Sequence, residues 1–141
     1  NISPAIVYSL EEGVRALWLG DMENDYMVAI EDDIALSPVD ILFAPHHGRK
    51  SGRVPKTWLD KLEPRLIVVG EAPSDELEYY SNYNTLTQNS AGDILFCCET
   101  GKTHVYVGSP SYSVNFLGED LNVPRAKGVL HYLGSFDCGD R

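Results

Sequence analysis

Two short, mostly apolar stretches near the start of the chain, residues 5–10 and 14–19, flank Glu11-Glu12-Gly13. Two strand-like stretches on either side of a compact turn predict a β-hairpin. We expect Gly13 to adopt a positive φ in this turn. Residues 93–98 and 102–107 flank a second glycine-containing turn and predict another hairpin.

The apolar period changes to about four after Asp21, which predicts an amphipathic helix over residues 22–35 with acidic residues in its first turn. A second, shorter helix is predicted from Pro55, a residue suited to the first helical position, to Glu63-Pro64, where the pattern ends. The apolar positions of the two helices are Met22, Tyr26, Ile30 and Ile34 in the first, and Trp58, Leu59 and Leu62 in the second.

Residues 40–44 and 65–70 each contain a short apolar run, after Asp40 and after Arg65, and predict two buried strands. The tyrosine-rich residues 71–89 predict a short helix or only a loop, and residues 112–117 and 128–133 are candidates for extra strands. Strand–helix–strand units between hairpins predict an α/β fold in which helices cover a mostly buried sheet.

Composition limits the interpretation to one domain, because 141 residues can build a single hydrophobic core. No apolar run approaches the roughly 20 residues of a membrane span, and the N-terminus lacks the pattern of a secretion signal. Three cysteines, two of them adjacent, do not form a disulfide framework, which favours a reduced, cytoplasmic setting. The chain lacks an initiating Met and opens almost directly into a strand, so we expect it to be cut from something longer.

The charge of the chain is strongly negative, with 11 basic and 21 acidic residues and a formal net charge of −10. Such a chain should repel nucleic acid except at a local basic patch. Arg49, Lys50, Arg53 and Lys56 form one dense basic segment. It is either a solvated loop and helix start or an anion-attracting rim suited to a phosphate-bearing substrate.

Asp21 follows the second strand and precedes the predicted helix, a position that has two interpretations. Acidic residues favour helix N-termini for purely structural reasons. The alternative is a metal-ligating carboxylate at the mouth of the sheet.

His46 and His47 follow the next strand, in Pro45-His46-His47-Gly48. Neutral imidazoles bind zinc or manganese, or act as general acid and base near neutral pH. We expect the ends of the two neighbouring strands to bring Asp21 and this pair to the same edge of the sheet.

The other candidates for chemistry are weaker. His104 and His131 are interpreted as structural, and Tyr79, Tyr80 and Tyr83 either line a pocket or pack a loop on the domain. The chain contains no glycine-rich phosphate loop, serine nucleophile elbow or dinucleotide fingerprint.

Taken together, the motifs resemble the second half of the metallo-β-lactamase-fold domain of ComEC-type DNA-uptake proteins and related hydrolases. The resemblance covers roughly residues 1–107. It is carried by Asn1-x-Ser3, Leu19-Gly20-Asp21, Asp40-Ile41-Leu42, Pro45-His46-His47-Gly48 and Leu62-x-Pro64.

The resemblance implies the C-terminal half of a four-layer αββα sandwich, with residues 108–141 as an extension of unknown role. It implies two zinc or manganese ions and a metal-bound hydroxide that attacks an ester or phosphodiester. Asp21, His46 and His47 would be metal ligands, the two histidines would also be catalytic, and Arg49 and Lys50 would bind an anionic substrate, either a small molecule or nucleic acid.

The sequence also departs from the family pattern. The family's main metal motif, His-x-His-x-Asp-His, is absent, Arg49 stands where serine is usual, and residues 71–103 contain no histidine. These departures favour a rival interpretation, a non-catalytic binding or regulatory module, and an unrelated α/β domain is a third. If the N-terminal half of the domain is missing, the sheet should expose an unpaired face or edge, and we expect self-association.

Overall fold

The computed structural model describes residues 3–124, 128 and 130–141, and these contain two β-sheets. Sheet A has five strands in the order β1-β2-β3-β4-β5, and sheet B has three in the order β6-β7-β8. The strands of sheet A are β1 (Ile6–Ser9), β2 (Arg15–Trp18), β3 (Ile41–Phe43), β4 (Leu66–Val69) and β5 (Thr85–Thr87). Those of sheet B are β6 (Ile94–Glu99), β7 (Lys102–Val107) and β8 (His131–Asp137).

Three short α-helices accompany the sheets, α1 (Asn24–Ala29), α2 (Lys56–Leu62) and α3 (Gln88–Ala91). A 3-10 helix spans Ser74–Tyr80, a shorter 3-10 turn spans Lys50–Gly52, and Pro45–Gly48 form a tight turn whose backbone is left-handed at His46 and His47. The predicted α/β class is therefore confirmed, with one mixed sheet and a second, antiparallel sheet.

Sheet A is antiparallel only at its edge, where β1 pairs with β2; β2, β3, β4 and β5 run parallel. The register aligns Leu17 with Leu42 and Leu42 with Ile67. Leu17, Leu42 and Ile67 therefore form a row across three strands. Because successive side chains of a strand point to opposite faces, this row faces one side of the sheet, and the residues before and after it in each strand face the other side.

Each face of sheet A packs against a different layer. The Leu17, Leu42 and Ile67 row packs against Met27 of α1 and Trp58 of α2 in the main core. On the opposite face, Ala16, Ile41 and Val68 pack with residues of sheet B. The described residues thus build a layer of helices, sheet A and sheet B.

The first helix is shorter than predicted. It spans Asn24–Ala29 rather than residues 22–35, and turns follow it. Three consecutive acidic residues, Glu31, Asp32 and Asp33, oppose the helix dipole at a C-terminus, and aspartate is a poor helix former. Ile30 and Ile34 still pack against the main core, which explains the regular apolar spacing without a helix.

The segments after β4 differ most from the sequence predictions. Residues 71–89 contain β5, which the sequence analysis missed because only Leu86 is apolar among its three residues. Residues 112–117 are not a strand, and the last strand is His131–Asp137 rather than residues 128–133. Residue 129 of that prediction, and Asn1, lie outside the described residues.

The first hairpin has the predicted strands but not the predicted turn conformation. The positive φ of 51° belongs to Glu12 rather than to Gly13. Gly13 is required for a different reason, since a Cβ there would lie 2.7 Å from Leu10 Cδ2.

Sheet B covers sheet A only in part. A groove of about 460 Å³ remains between them, lined by Tyr8, Trp18, Phe43 and Phe96 among others. The edge strand β1 also exposes Ile6, Val7 and Tyr8, at 55%, 52% and 45%. These apolar surfaces are of the kind expected of a chain that self-associates, which stays a prediction. Within the described part of the chain, none of the helices is long and apolar enough to cross a membrane.

Candidate functional site

The ends of β2 and β3 bring the two sequence motifs into direct contact. The strands are parallel neighbours, so Gly20-Asp21 and Pro45–Gly48 leave the same edge of sheet A. The backbone N–H of His46 donates a hydrogen bond to the carbonyl oxygen of Gly20 over 2.8 Å. The backbone N–H of Asp21 donates to Ser3 Oγ at 3.0 Å. The predicted convergence of the motifs is therefore present.

The His46–His47 turn has an uncommon backbone conformation. His46 and His47 have φ values of 50° and 59°, followed by Gly48 at 88°. Left-handed non-glycine residues cost about 1–3 kcal/mol each and concentrate at functional sites. The turn is also tightly packed, because a Cβ on Gly48 would lie 2.5 Å from Val69 Cγ1.

Asp21 and His47 share a cavity of about 230 Å³. Its floor follows from the register of sheet A, which aligns Trp18, Phe43 and Val68. The rings of Trp18 and Phe43 stack with centroids 4.3 Å apart. The cavity therefore combines a carboxylate and an imidazole at an exposed rim with an apolar floor. The remaining lining residues are Leu19, Gly20, Ala44, Gly70 and Gln88.

His46 lies in a different groove from His47. Its Nδ1 is 2.7 Å from Ser51 Oγ, within hydrogen-bonding distance. Together with Arg49 and Lys50, it lines a groove of about 790 Å³ that does not include Asp21 or His47. The structure thus separates the two histidines, which sequence reasoning treated as one pair.

Hydrogen bonds hold the loop that carries these groups. Tyr79 donates its hydroxyl to the carbonyl oxygen of Val54 at 2.6 Å, while the N–H of Val54 donates to the hydroxyl of Tyr80 at 3.1 Å. Burial raises the pKa of Tyr80 to about 12, so this hydroxyl stays neutral at physiological pH. Tyr79 therefore both lines the groove and anchors the loop, and Tyr80 belongs to the core.

The donors near the site are few for a metal centre. In the part of the chain that the structure describes, no group of three or more His, Cys, Asp or Glu residues is arranged to hold a metal ion. Structural zinc sites have four ligands and catalytic sites have three from the protein. Asp21 and His47 do not fit a complete site by themselves.

The other sequence candidates lie apart from both cavities. Lys56, the last of the basic segment, pairs with Asp60 at 2.7 Å on the surface of α2. His104 is buried in sheet B with Nδ1 3.2 Å from the Tyr132 hydroxyl, and His131 is exposed at the start of β8. The sequence did not identify Trp18, Phe43 and Gln88 as residues of the cavity. They reach Asp21 only through the strand register and the tertiary fold.

Gly52 provides a stability test of the packing around the His46–His47 turn. A Cβ there would lie 2.6 Å from the carbonyl oxygen of Pro45 and 2.7 Å from His46 Cβ. Gly52→Ala should lower the free energy of unfolding by about 1–3 kcal/mol in urea titrations, because a rigid backbone must move. Ser51→Ala, at an exposed neighbouring position, is the control and should have a smaller effect. Equal losses for the two variants would contradict this account.

Comparisons of the chain with protein-family models, with curated protein sequences and with solved structures found no match.

Proposed function

We propose that this chain is part of a metal-dependent hydrolase of the metallo-β-lactamase fold that acts on an ester or phosphodiester. The observation that supports the proposal best is the junction of the two motifs. Gly20-Asp21 and the His46–His47 turn leave neighbouring parallel strands, are joined by a 2.8 Å backbone hydrogen bond, and place Asp21 and His47 on one cavity. Sites in parallel α/β sheets are commonly built at this end of the strands.

In this proposal the two histidines have different roles. His47 shares the cavity with Asp21 and is the better candidate for a zinc or manganese ligand. His46 lies beside Ser51 in the neighbouring groove, where a role in catalysis would be proton transfer or positioning of the turn. Arg49 and Lys50 line that same groove and would attract an anionic substrate.

The four-layer αββα sandwich belongs to the same proposal. The helices, sheet A and sheet B would be three of its layers. The groove along Trp18, Phe43 and Phe96 lies beside β6, which is an edge strand of sheet B. Further strands added at that edge would cover the groove and would stand close to the Asp21 and His47 cavity, since Trp18 and Phe43 line both.

Metal binding tests this proposal directly. Two donors fall short of the number that a tight site needs, so further ligands would have to come from residues other than those brought together here. We expect equilibrium dialysis of the full-length protein against zinc or manganese, followed by metal analysis, to detect bound ion. His47→Ala should weaken binding more than about tenfold, by analogy with the 10–100-fold effect of disturbing groups that support a metal ligand.

His46→Ala is the matched control, because it removes the adjacent imidazole from the other groove. It should change metal affinity by much less than His47→Ala. Equal effects of the two variants would contradict the division of roles.

The alternative is a non-catalytic binding or regulatory module that keeps the fold with a degenerate metal site. The small number of donors around the cavity favours it. A full-length wild-type protein that binds less than two equivalents of metal tightly would support this alternative over a dinuclear hydrolase.

A further inference from the structure

We propose that the groove between the 46–53 loop and α1 binds a small phosphorylated sugar, either a sugar phosphate or a nucleotide. The groove lies on the His46 side of the His46–His47 turn, apart from the cavity that Asp21 and His47 share. The proposal rests on the anion-binding role that the proposed function gives to Arg49 and Lys50, but not on the metal ligands Asp21 and His47.

One wall of the groove is basic. Arg49, Lys50 and Arg53 line it together with His46 and Ser51. In the described part of the chain, the ion pairs engage Lys56, Lys61, Arg65 and Lys102, and none of these three groove cations. Among the described residues these three cations form no ion pair, so their side chains can bind phosphate oxygens through charge-assisted hydrogen bonds.

The basic wall is held in place before any ligand arrives. The Arg53 guanidinium lies over the Tyr79 ring at 5.0 Å from its centroid, and the Arg53 carbonyl oxygen accepts a hydrogen bond from Asn24 Nδ2 at 2.6 Å. The backbone N–H of Lys50 donates to Glu76 Oε2 at 2.9 Å. Contacts from two other segments therefore fix this loop, which reduces the entropy lost on binding.

The wall formed by α1 is acidic, and this limits the kind of anion that fits. Glu23 and Asp25 line the groove at the start of α1, and a third carboxylate, Glu76, lines it where it accepts the hydrogen bond from the Lys50 N–H. Carboxylates are suited to accept hydrogen bonds from sugar hydroxyls, as they do from ribose in dinucleotide sites. They repel a second phosphate, and so does the net charge of −10. A ligand with one phosphate and several hydroxyls matches both walls better than a long polyanion does.

The size and aromatic content of the groove agree with this ligand class. About 790 Å³ lies within the range of small-molecule sites, roughly 300–1,000 Å³. It greatly exceeds the space that a lone phosphate ion needs. Tyr79 offers an aromatic surface beside Arg53, against which a sugar or a base can pack.

Isothermal titration calorimetry with AMP, ribose 5-phosphate, ribose and inorganic phosphate tests the proposal. We expect both phosphate esters to bind. Ribose lacks the phosphate that the basic wall binds, and inorganic phosphate lacks the hydroxyls that the acidic wall binds, so each should bind at least about tenfold more weakly. AMP binding tighter than ribose 5-phosphate assigns a nucleotide, and equal affinity assigns a sugar phosphate. No binding of either ester, or inorganic phosphate binding as tightly as the esters, would overturn the proposal.

Two double variants that remove the same charge distinguish the effect of the groove cations from the effect of the net charge of the protein. The double variant Arg49→Ala and Lys50→Ala removes two exposed groove cations and should weaken ester binding about tenfold or more. The double variant Lys56→Ala and Lys61→Ala removes the same charge from α2, outside the groove, and should change affinity less than about threefold. Equal weakening by the two would overturn the proposal, and circular dichroism checks that each variant folds.

Asp21→Ala distinguishes this inference from the proposed hydrolase. It removes a proposed metal ligand from the other cavity and should leave AMP binding unchanged. Loss of AMP binding in Asp21→Ala would mean that the two cavities form one site and would overturn the separation proposed here.

Discussion

In the intact protein of which this chain is proposed to be part, replacing Asp21 with alanine is expected to reduce metal-dependent hydrolysis of a model phosphodiester by more than about a hundredfold. Disturbing groups that merely support a metal ligand costs about 10–100-fold in activity, so removal of a ligand should cost more. Asp21 is exposed, and the structure ties its backbone rather than its side chain to Ser3. The variant should therefore fold normally, and the lost activity should not reflect unfolding.

Asp32→Ala is the matched control for this experiment. Asp32 is an exposed aspartate that lines neither the cavity nor the neighbouring groove. Its replacement removes the same charge and should retain much more of the zinc- or manganese-dependent activity. Unchanged turnover in Asp21→Ala would rule out the assignment of Asp21 as a ligand of a hydrolytic centre.

Replacing Asp40 with alanine is expected to lower the free energy of unfolding by about 3 kcal/mol, the low end of the range for breaking a buried ion pair. Asp40 is 1% exposed. One of its carboxylate oxygens accepts a hydrogen bond from the backbone N–H of Arg15 at 2.8 Å, and the other pairs with Arg65 Nε at 2.9 Å. The low end applies because Arg65 is 30% exposed and keeps a second partner, Asp140.

Two variants separate the contributions around Asp40 in urea unfolding experiments. Asp40→Asn retains an oxygen acceptor while removing the charge, so it should destabilise less than Asp40→Ala. Asp140→Ala removes the exposed partner of Arg65 and should leave the unfolding midpoint nearly unchanged. An Asp40→Ala protein as stable as Asp140→Ala would show that the buried carboxylate contributes little.

The hairpins and buried strands were readable from the sequence because their signals are local. Strand-like stretches on either side of a compact glycine-containing turn mark β1 with β2 and β6 with β7, and the apolar runs mark β3 and β4. The helix predicted over residues 22–35 was too long because tertiary packing of Ile30 and Ile34 has the same spacing as a helical stripe. Strand β5 was missed since its stability comes from pairing with β4 rather than from its own residues.

The sequence predicted which residues lie near the candidate site, but not which of them share a cavity. The placement of Asp21 and the two histidines after consecutive strands predicts that they lie at one edge of the sheet, and they do: Gly20 and His46 are hydrogen-bonded there, and Asp21 and His47 share a cavity. Whether the fold belongs to the metallo-β-lactamase family stays a prediction. The sequence did not predict that His46 and His47 line different cavities, because no local pattern distinguishes two adjacent histidines.

By itself, then, the sequence determined the class of the fold, the strand ends that carry Asp21 and the histidines, and the basic segment beside them. The tertiary structure alone decided that His47 joins Asp21 while His46 joins Arg49 and Lys50. The physical reason is the left-handed backbone of the turn, with φ values of 50° and 59° at these two residues. Packing against Val69 and the bond to Gly20 hold this conformation, and both contacts come from distant parts of the chain.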